Sequence, residues 1–316
     1  MRPRAIRRLC KLAAAGVAGA ALAACSGPPA VPPPATRHAV SSLRGSPPCG
    51  RVTRTAGYRH VMWVVMENKS YSSIIGSAAA PYENALARRC GTATDYSAVA
   101  HPSLPNYLAL TGGSTFGVRS DEAPSNVSAP GASIFSQVAA AGLQWRSYEE
   151  SMPTRCALGN SGAYAVRHNP ATYYTSLRSA CSRWDVPMGT VTSGPLRSAL
   201  YGGHLPSFSF VTPNTCDDMH SCPVRTGDTW LAAFMGMVLR SPAYDGGTLA
   251  IVVTWDEGES TNQVPAIVVS PSTRVGVRSA SPFDHYSLLR TTEDLLHLPH
   301  LRSAAGARSM AKAFGL

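Results

Sequence analysis

The sequence predicts an α/β domain with a mostly parallel central sheet sandwiched by helices, and three observations carry that prediction. Four short runs are almost wholly apolar and rich in β-branched or aromatic residues, as expected of strands buried on both faces. Segments of helical character alternate with them, the order of elements that builds a parallel sheet. Oxygen-bearing residues stand directly after two of the runs, and in open α/β sheets ligands gather beyond the carboxyl ends of the strands.

Taken in order, the strands are 60–66 (HVMWVVM), 208–212 (FSFVT), 249–255 (LAIVVTW) and 266–270 (AIVVS). Helices are predicted over 81–89, 105–111, 132–141, 228–240 and 286–297. In the second of these, Pro105 suits a first turn and Gly112 with Gly113 stops the helix. Residues 115–205 are poor in periodicity and rich in Gly, Ser and Pro, so long loops or a small insertion around the active site are expected there.

Arg2, Arg4, Arg7, Arg8 and Lys11 open the chain, and the small, apolar run Leu12 to Ala24 that follows is too short to span a bilayer but suits a secretion signal. The run ends in Leu22-Ala23-Ala24-Cys25, which resembles the lipobox of bacterial lipoproteins. That resemblance implies cleavage before Cys25 and lipidation of its sulfur; two acyl chains would hold the protein on the extracytoplasmic face of the membrane. An ordinary secretion signal, with release of the protein, is the alternative. Residues 26–56 include GPPAVPPPA and GSPP and read as a Pro/Ala/Ser-rich spacer, which leaves 57–316 as the folded domain.

The formal net charge is +10, and loss of the five cations in the first 25 residues lowers it to +5. A mildly basic, arginine-rich chain suits phosphate-bearing or anionic-lipid substrates, and no Lys/Arg block argues for nucleic-acid binding. A monomer is expected. Of the eight cysteines, Cys10 leaves with the signal and Cys25 is lipidated. The remaining even number in an exported chain predicts three disulfides, foremost Cys216–Cys222 and then, by proximity, Cys49–Cys90 and Cys156–Cys181. Without a CxxC pair, a zinc site is the weaker reading.

Glu67-Asn68 follow the first strand and Asp256-Glu257 follow the 249–255 strand, so two strands deliver oxygen ligands to one sheet edge. Hard divalent cations choose such carboxylate and amide oxygens, although either pair alone could simply begin a polar loop. Ser103 stands where a helix begins. As an N-cap it would contribute about 1 kcal/mol, and the same helix end can hold a phosphate; spacing alone favours the cap. Of the nine histidines, His38, His60, His204, His297 and His300 are read as structural. His101 (AHPS), His168 (VRHNP), His220 (CDDMHSC) and His285 (FDHYS) stand in polar clusters, where histidine can bind metal, donate to phosphate or protonate a leaving group.

In order, VVMENKSY, HPSLPNYLALTGG, YAVRHNPATYY, FVTPNTCDDMH, TGDTWL, VVTWDEG and DHYSLLRTTEDLL resemble the bacterial phosphoesterase family, which includes secreted acid phosphatases, phosphatidylinositol 3-phosphatase-like enzymes and phospholipases C within the alkaline phosphatase superfamily. The likeness runs from about residue 58 to 298. It implies an alkaline-phosphatase-like fold and a divalent cation surrounded by Glu67, Asn68, Ser103, Asp256 and Glu257. It also implies Ser103 as nucleophile, Asn106 as a donor to phosphate, and His101, His168, His220 and His285 as active-site histidines. Asp218 and Asp228, in the DMH and GDTW motifs, rank above Asp217 and Asp284 as further candidates. Two-zinc members of the superfamily carry an Asp-His pair near the position of Asp256-Glu257, so one cation is expected here, its identity open.

The implied activity is hydrolysis of phosphate monoesters, including phosphoinositides, through a phosphoserine, with His220 or His285 protonating the leaving alkoxide under mildly acidic conditions. A phospholipase C-type phosphodiesterase is the first alternative, disfavoured because such members are longer chains with extra C-terminal domains. A non-catalytic, anion-binding surface lipoprotein is the second, disfavoured by the presence of Ser103, Glu67 and Asp256.

Overall fold

Seven consecutive apolar or weakly polar residues cannot face water on either side of a sheet, and β1 (His60–Met66) is buried from Val61 through Met66. The computed structural model of the chain, which describes residues 47–53 and 57–316, places β1 in the middle of an eight-stranded sheet. The other strands are β2 (Gly91–Ala93), β3 (Tyr96–Ser97), β4 (Trp145–Glu149), β5 (Asp185–Pro187), β6 (Phe208–Thr212), β7 (Leu249–Trp255), β8 (Ala266–Val269), β9 (Arg278–Ser279) and β10 (Phe283–Asp284). The main sheet has the order β5-β4-β6-β1-β7-β8-β2-β9, and β3 pairs with β10 outside it. Among the described strands of the main sheet only β8 runs against its neighbours, so the sheet is mostly parallel, as predicted.

β1, β6 and β7 occupy their predicted bounds, and β8 ends one residue early at Val269. Helices form at Pro81–Arg89, Ser103–Gly112, Ile134–Ala140, Val224–Val238 and His285–Leu295. The fourth begins ahead of its predicted start, at Val224, with Pro223 in the N-cap position and no side-chain capping bond. The last begins where the Asp284 carboxylate accepts from the Ser287 N–H at 2.8 Å. The region 115–205 differs from its expectation, since it supplies β4 and β5 to the sheet as well as loops and short turns.

Trp63, Trp145 and Trp255 are fully buried, and Trp63 meets Phe208 edge-on with ring centroids 4.8 Å apart. Each such aromatic stabilises the fold by about 1.5–3 kcal/mol through burial. All three predicted disulfides are present, Cys49–Cys90, Cys156–Cys181 and Cys216–Cys222. The first ties residues 47–53 to the domain, where the Arg51 N–H also donates to the Pro271 carbonyl at 2.8 Å. The predicted spacer therefore gives way to the domain before residue 56. The signal segment, the lipobox and Cys25 lie outside the described residues.

β4 and β5 carry two buried acids without a cationic partner among the described residues. Ser147 pairs in register with Asp185 and donates to Glu149 Oε1 at 2.7 Å, while Asn169 Nδ2 donates to Asp185 Oδ2 at 2.9 Å. Burial, and then Asp185, push Glu149 well above the carboxylate range; burial lifts Asp185 to about 7. The native chain thus holds a proton there that the unfolded chain releases near pH 4. Stability is expected to fall as pH rises from about 4 to about 7, and Asp185→Asn to make that fall shallower by about 1 kcal/mol per pH unit. Denaturant titrations at pH 5 and 7 check this, and an unchanged slope would place the proton elsewhere.

Candidate active site

The register of β1 and β7 assembles the site. Met66 pairs with Trp255, so Glu67 and Asp256 leave the sheet side by side. The Asp256 N–H donates to the Met66 carbonyl and the Asn68 N–H to Asp256 Oδ1, both at 3.0 Å. Asn68 turns the chain at φ 53°, a left-handed conformation that Asn tolerates better than most residues. Beyond β6, the Asn214 amide oxygen accepts from the N–H groups of Cys216 and Asp217, and the Cys216–Cys222 bridge closes the loop. That loop delivers Asp218, whose carbonyl accepts from the Glu67 N–H at 2.9 Å.

Ser103 is the first residue of the helix rather than its cap. Pro102 takes the cap position, no side-chain cap bond forms, and the Ser103 hydroxyl instead donates to Glu67 Oε2 at 3.2 Å. It also lies close enough to Asp256 and Glu257 to favour their ionised forms. The capping reading is thereby overturned: a buried hydroxyl is aimed at carboxylates. His168, on the short turn Val166–His168, brings Nε2 to 3.2 Å from Glu67 Oε1 and Nδ1 to 3.3 Å from Asp218 Oδ2. The Tyr107 hydroxyl donates to Glu67 Oε1 at 2.6 Å, and its ring stacks on His168.

Glu67, Asp218 and Asp256 are all fully buried. Burial, then Asp256 and Asp218, push Glu67 well above its usual range. Burial dominates at the other two as well, lifting Asp218 to about 8 and Asp256, with Glu257 adding to the effect, to about 7. Oδ2 of Asp218, Oδ2 of Asp256 and Nε2 of His168 are buried without a hydrogen-bond partner. Buried lone pairs of this kind are costly unless something satisfies them. Ligand atoms of Glu67, His168 and Asp218 lie within 4.8 Å of one another, and carboxylate oxygens with one imidazole nitrogen suit a divalent cation. Burial holds the His168 imidazole neutral, the state in which it can ligate.

The predicted ligands divide. Glu67, Ser103 and Asp256 converge, joined by His168 and Asp218. The Asn68 side chain donates to Glu67 Oε2 at 3.1 Å, while Glu257 turns toward the helix start, where His101 Nδ1 lies at 2.8 Å and Asn106 Nδ2 at 3.4 Å. Asn106 is fully buried and spends its amide on the turn before the helix. It accepts from the N–H groups of Val99 and Ala100 and donates to the carbonyls of Ala100 and Pro102.

Several candidates have other work. His285 is fully buried; Nε2 must carry its proton, because it meets the Asp256 carbonyl at 2.6 Å, and Nδ1 then accepts from Tyr96. Burial holds its pKa down to about 4, so His285 orients Asp256 and is no proton donor to a leaving group. Asp228 caps the helix Pro81–Arg89, accepting from the N–H groups of Tyr82 and Glu83, and is not a site residue. Asp284 caps the His285–Leu295 helix, and Asp217 accepts from the Asn214 amide. His220 is exposed, its ring 5.8 Å from that of His168.

Tyr107, Arg167 and Asp121 are site neighbours that the motifs did not single out. Tyr107 and Arg167 lie inside NYLALTGG and VRHNP, so proximity to Ser103 and His168 was their available signal. Asp121 lies in a stretch with none.

The Phosphoesterase family profile matches residues 77–299. A phosphatidylinositol-3-phosphatase of Mycobacterium tuberculosis is 33% identical over 261 residues, which cover 82% of this chain and 83% of that one. A probable acid phosphatase of Kluyveromyces lactis is 28% identical over 264 residues, 78% of this chain and 60% of its own. Among solved structures, a protein in the alkaline phosphatase superfamily from Vibrio parahaemolyticus shares the fold with a TM-score of 0.55 at 10% identity, over 85% of this chain and 78% of that one. With most of its length matched by the profile and its acids, serine and histidine gathered at one sheet edge, the chain belongs to the phosphoesterase family and is a phosphoric ester hydrolase.

Proposed function

We propose that the chain hydrolyses phosphate monoesters through a phosphoserine at Ser103, assisted by one divalent cation. The observation that carries this is the buried Ser103 hydroxyl, 3.2 Å from Glu67 Oε2, beside acids whose lone pairs lack partners. Glu67, His168, Asp218 and Asp256 would hold the cation, which when bound neutralises phosphate oxygens and lowers the pKa of the serine hydroxyl.

Ser103 Oγ gives its proton to the Glu67 carboxylate that accepts it and attacks phosphorus in line, and the bond to the leaving oxygen breaks as the Oγ–P bond forms. N–H groups at the start of the Ser103–Gly112 helix hold the equatorial oxygens where charge develops. His101, exposed and paired with Glu257, would protonate the leaving alkoxide. Water then cleaves the Oγ–P bond from the opposite side, releasing phosphate and restoring the hydroxyl. Asn106 acts by holding the turn from which His101 and Ser103 project.

The name of the mycobacterial relative supports including phosphoinositides in the proposed substrate class. A lipid on Cys25 would hold the enzyme at an extracytoplasmic membrane surface, and the three disulfides support export. The test is hydrolysis of an aryl phosphomonoester and an aryl phosphodiester by the purified protein, with and without chelator. Monoester cleavage that chelator abolishes and a divalent cation restores is expected. Preference for the diester would move the assignment to a phosphodiesterase, and chelator-resistant cleavage would remove the cation from the mechanism.

A further inference from the structure

Arg167 takes no part in the reaction as proposed, yet it lies beside His168 on the same turn, with 21% of its side chain exposed. Its Nη2 donates to His220 Nε2 at 3.0 Å, its Nε lies 3.5 Å from Asp121 Oδ2, and that Nε is buried without a hydrogen-bond partner. Asp121 Oδ1 accepts from the Leu104 N–H at 2.9 Å, the amide directly after Ser103. One carboxylate therefore spans a guanidinium and the helix-start amide beside the nucleophile. A phosphoryl group with two oxygens on that side would ask for the same donors, since guanidinium and backbone N–H are what phosphate oxygens bind best.

We propose that Arg167 and the Leu104 amide form the seat of the substrate's phosphoryl oxygens, and that Asp121 occupies this seat in the free protein and leaves it when phosphate arrives. The proposal rests on Ser103 as the nucleophile. Asp121 belongs to an exposed stretch between the Ser103–Gly112 and Ile134–Ala140 helices, and its side chain keeps 29% of its surface, so it can swing out without unpacking the core. Around it stand Arg167, His220, Glu257 and Tyr173. Once Asp121 withdraws, Arg167 keeps its charge beside the acid cluster, where it acts on Glu67 and Asp218.

The experiment is calorimetric titration of the purified protein with inorganic phosphate, with product inhibition of aryl phosphomonoester hydrolysis as the second readout. Asp121→Asn is expected to tighten phosphate binding about tenfold, because it removes a competing anion. Arg167→Ala is expected to weaken it about a hundredfold and Arg167→Lys by less, since lysine keeps the charge but not the fork. Looser phosphate binding in Asp121→Asn, or an affinity in Arg167→Lys and Arg167→Ala within twofold of the parent, would overturn the proposal, as would a parent protein that binds no phosphate. A parent that binds phosphate in this pattern but cleaves no ester would leave the seat standing and sink the proposed reaction instead.

Discussion

Ser103→Ala is expected to lower kcat for an aryl phosphomonoester by about a thousandfold or more, because no other hydroxyl replaces the atom that forms the covalent bond. The fold should hardly notice. The change removes one hydroxyl, whose bond to Glu67 contributes about 1 kcal/mol, and alanine suits a helix at least as well as serine. Acid-quenched protein taken during turnover should carry a phosphate on Ser103, detectable by mass spectrometry, and the variant none. Activity within tenfold of the parent, at an unchanged melting temperature, would rule Ser103 out as the nucleophile.

Glu67→Gln is expected to separate stability from function. In the metal-free chain Glu67, Asp218 and Asp256 are buried together and retain protons to higher pH than free carboxyls do. Groups whose folded proton affinity is raised lend stability that is complete below about pH 4 and lost as pH rises toward about 8. A divalent cation should reverse the loss, most strongly at pH 8, where fewer protons compete for its ligands. At a hundred times its Kd the stabilisation is about 2.7 kcal/mol, or a melting-temperature rise of about 5 °C for a chain of this size. Glutamine keeps an oxygen for the Tyr107 hydroxyl but brings no charge. Metal-free Glu67→Gln should therefore melt higher than metal-free parent at pH 8, gain little from added cation, and lose most activity. A cation-induced rise equal to that of the parent would show that Glu67 is no ligand.

How far each element could be read follows from where its partners come from. β1, β6 and β7 need nothing beyond themselves, because a continuous apolar run buried on both faces is legible from composition and length. β4 and β5 escape that rule. Ser147, Glu149 and Asp185 are polar yet buried; Ser147 donates to Glu149 within β4 and Asn169, from a turn far from either strand, donates to Asp185, so the partners cannot be read from an apolar pattern. The disulfides were legible because three near neighbours in sequence were also the pairs that closed.

The same distinction runs through the site. Residues that follow a strand directly, Glu67 and Asp256, could be placed from the chain alone, since the carboxyl end of a parallel strand is one place in space. Residues delivered by loops could not. Asp218 and Asp228 stand in similar motifs, and only packing makes one a member of the acid cluster and the other a cap on a neighbouring helix. His168 and His285 are both buried histidines beside acids, but one aims its nitrogens at carboxylates and the other spends both on a carbonyl and a tyrosine. Sequence by itself determined the sheet's central strands, the cysteine pairing and the family likeness, which depend on local pattern and order. Tertiary structure alone decided which oxygens and nitrogens share the site, because hydrogen-bond geometry joins atoms as far as 188 positions apart along the chain.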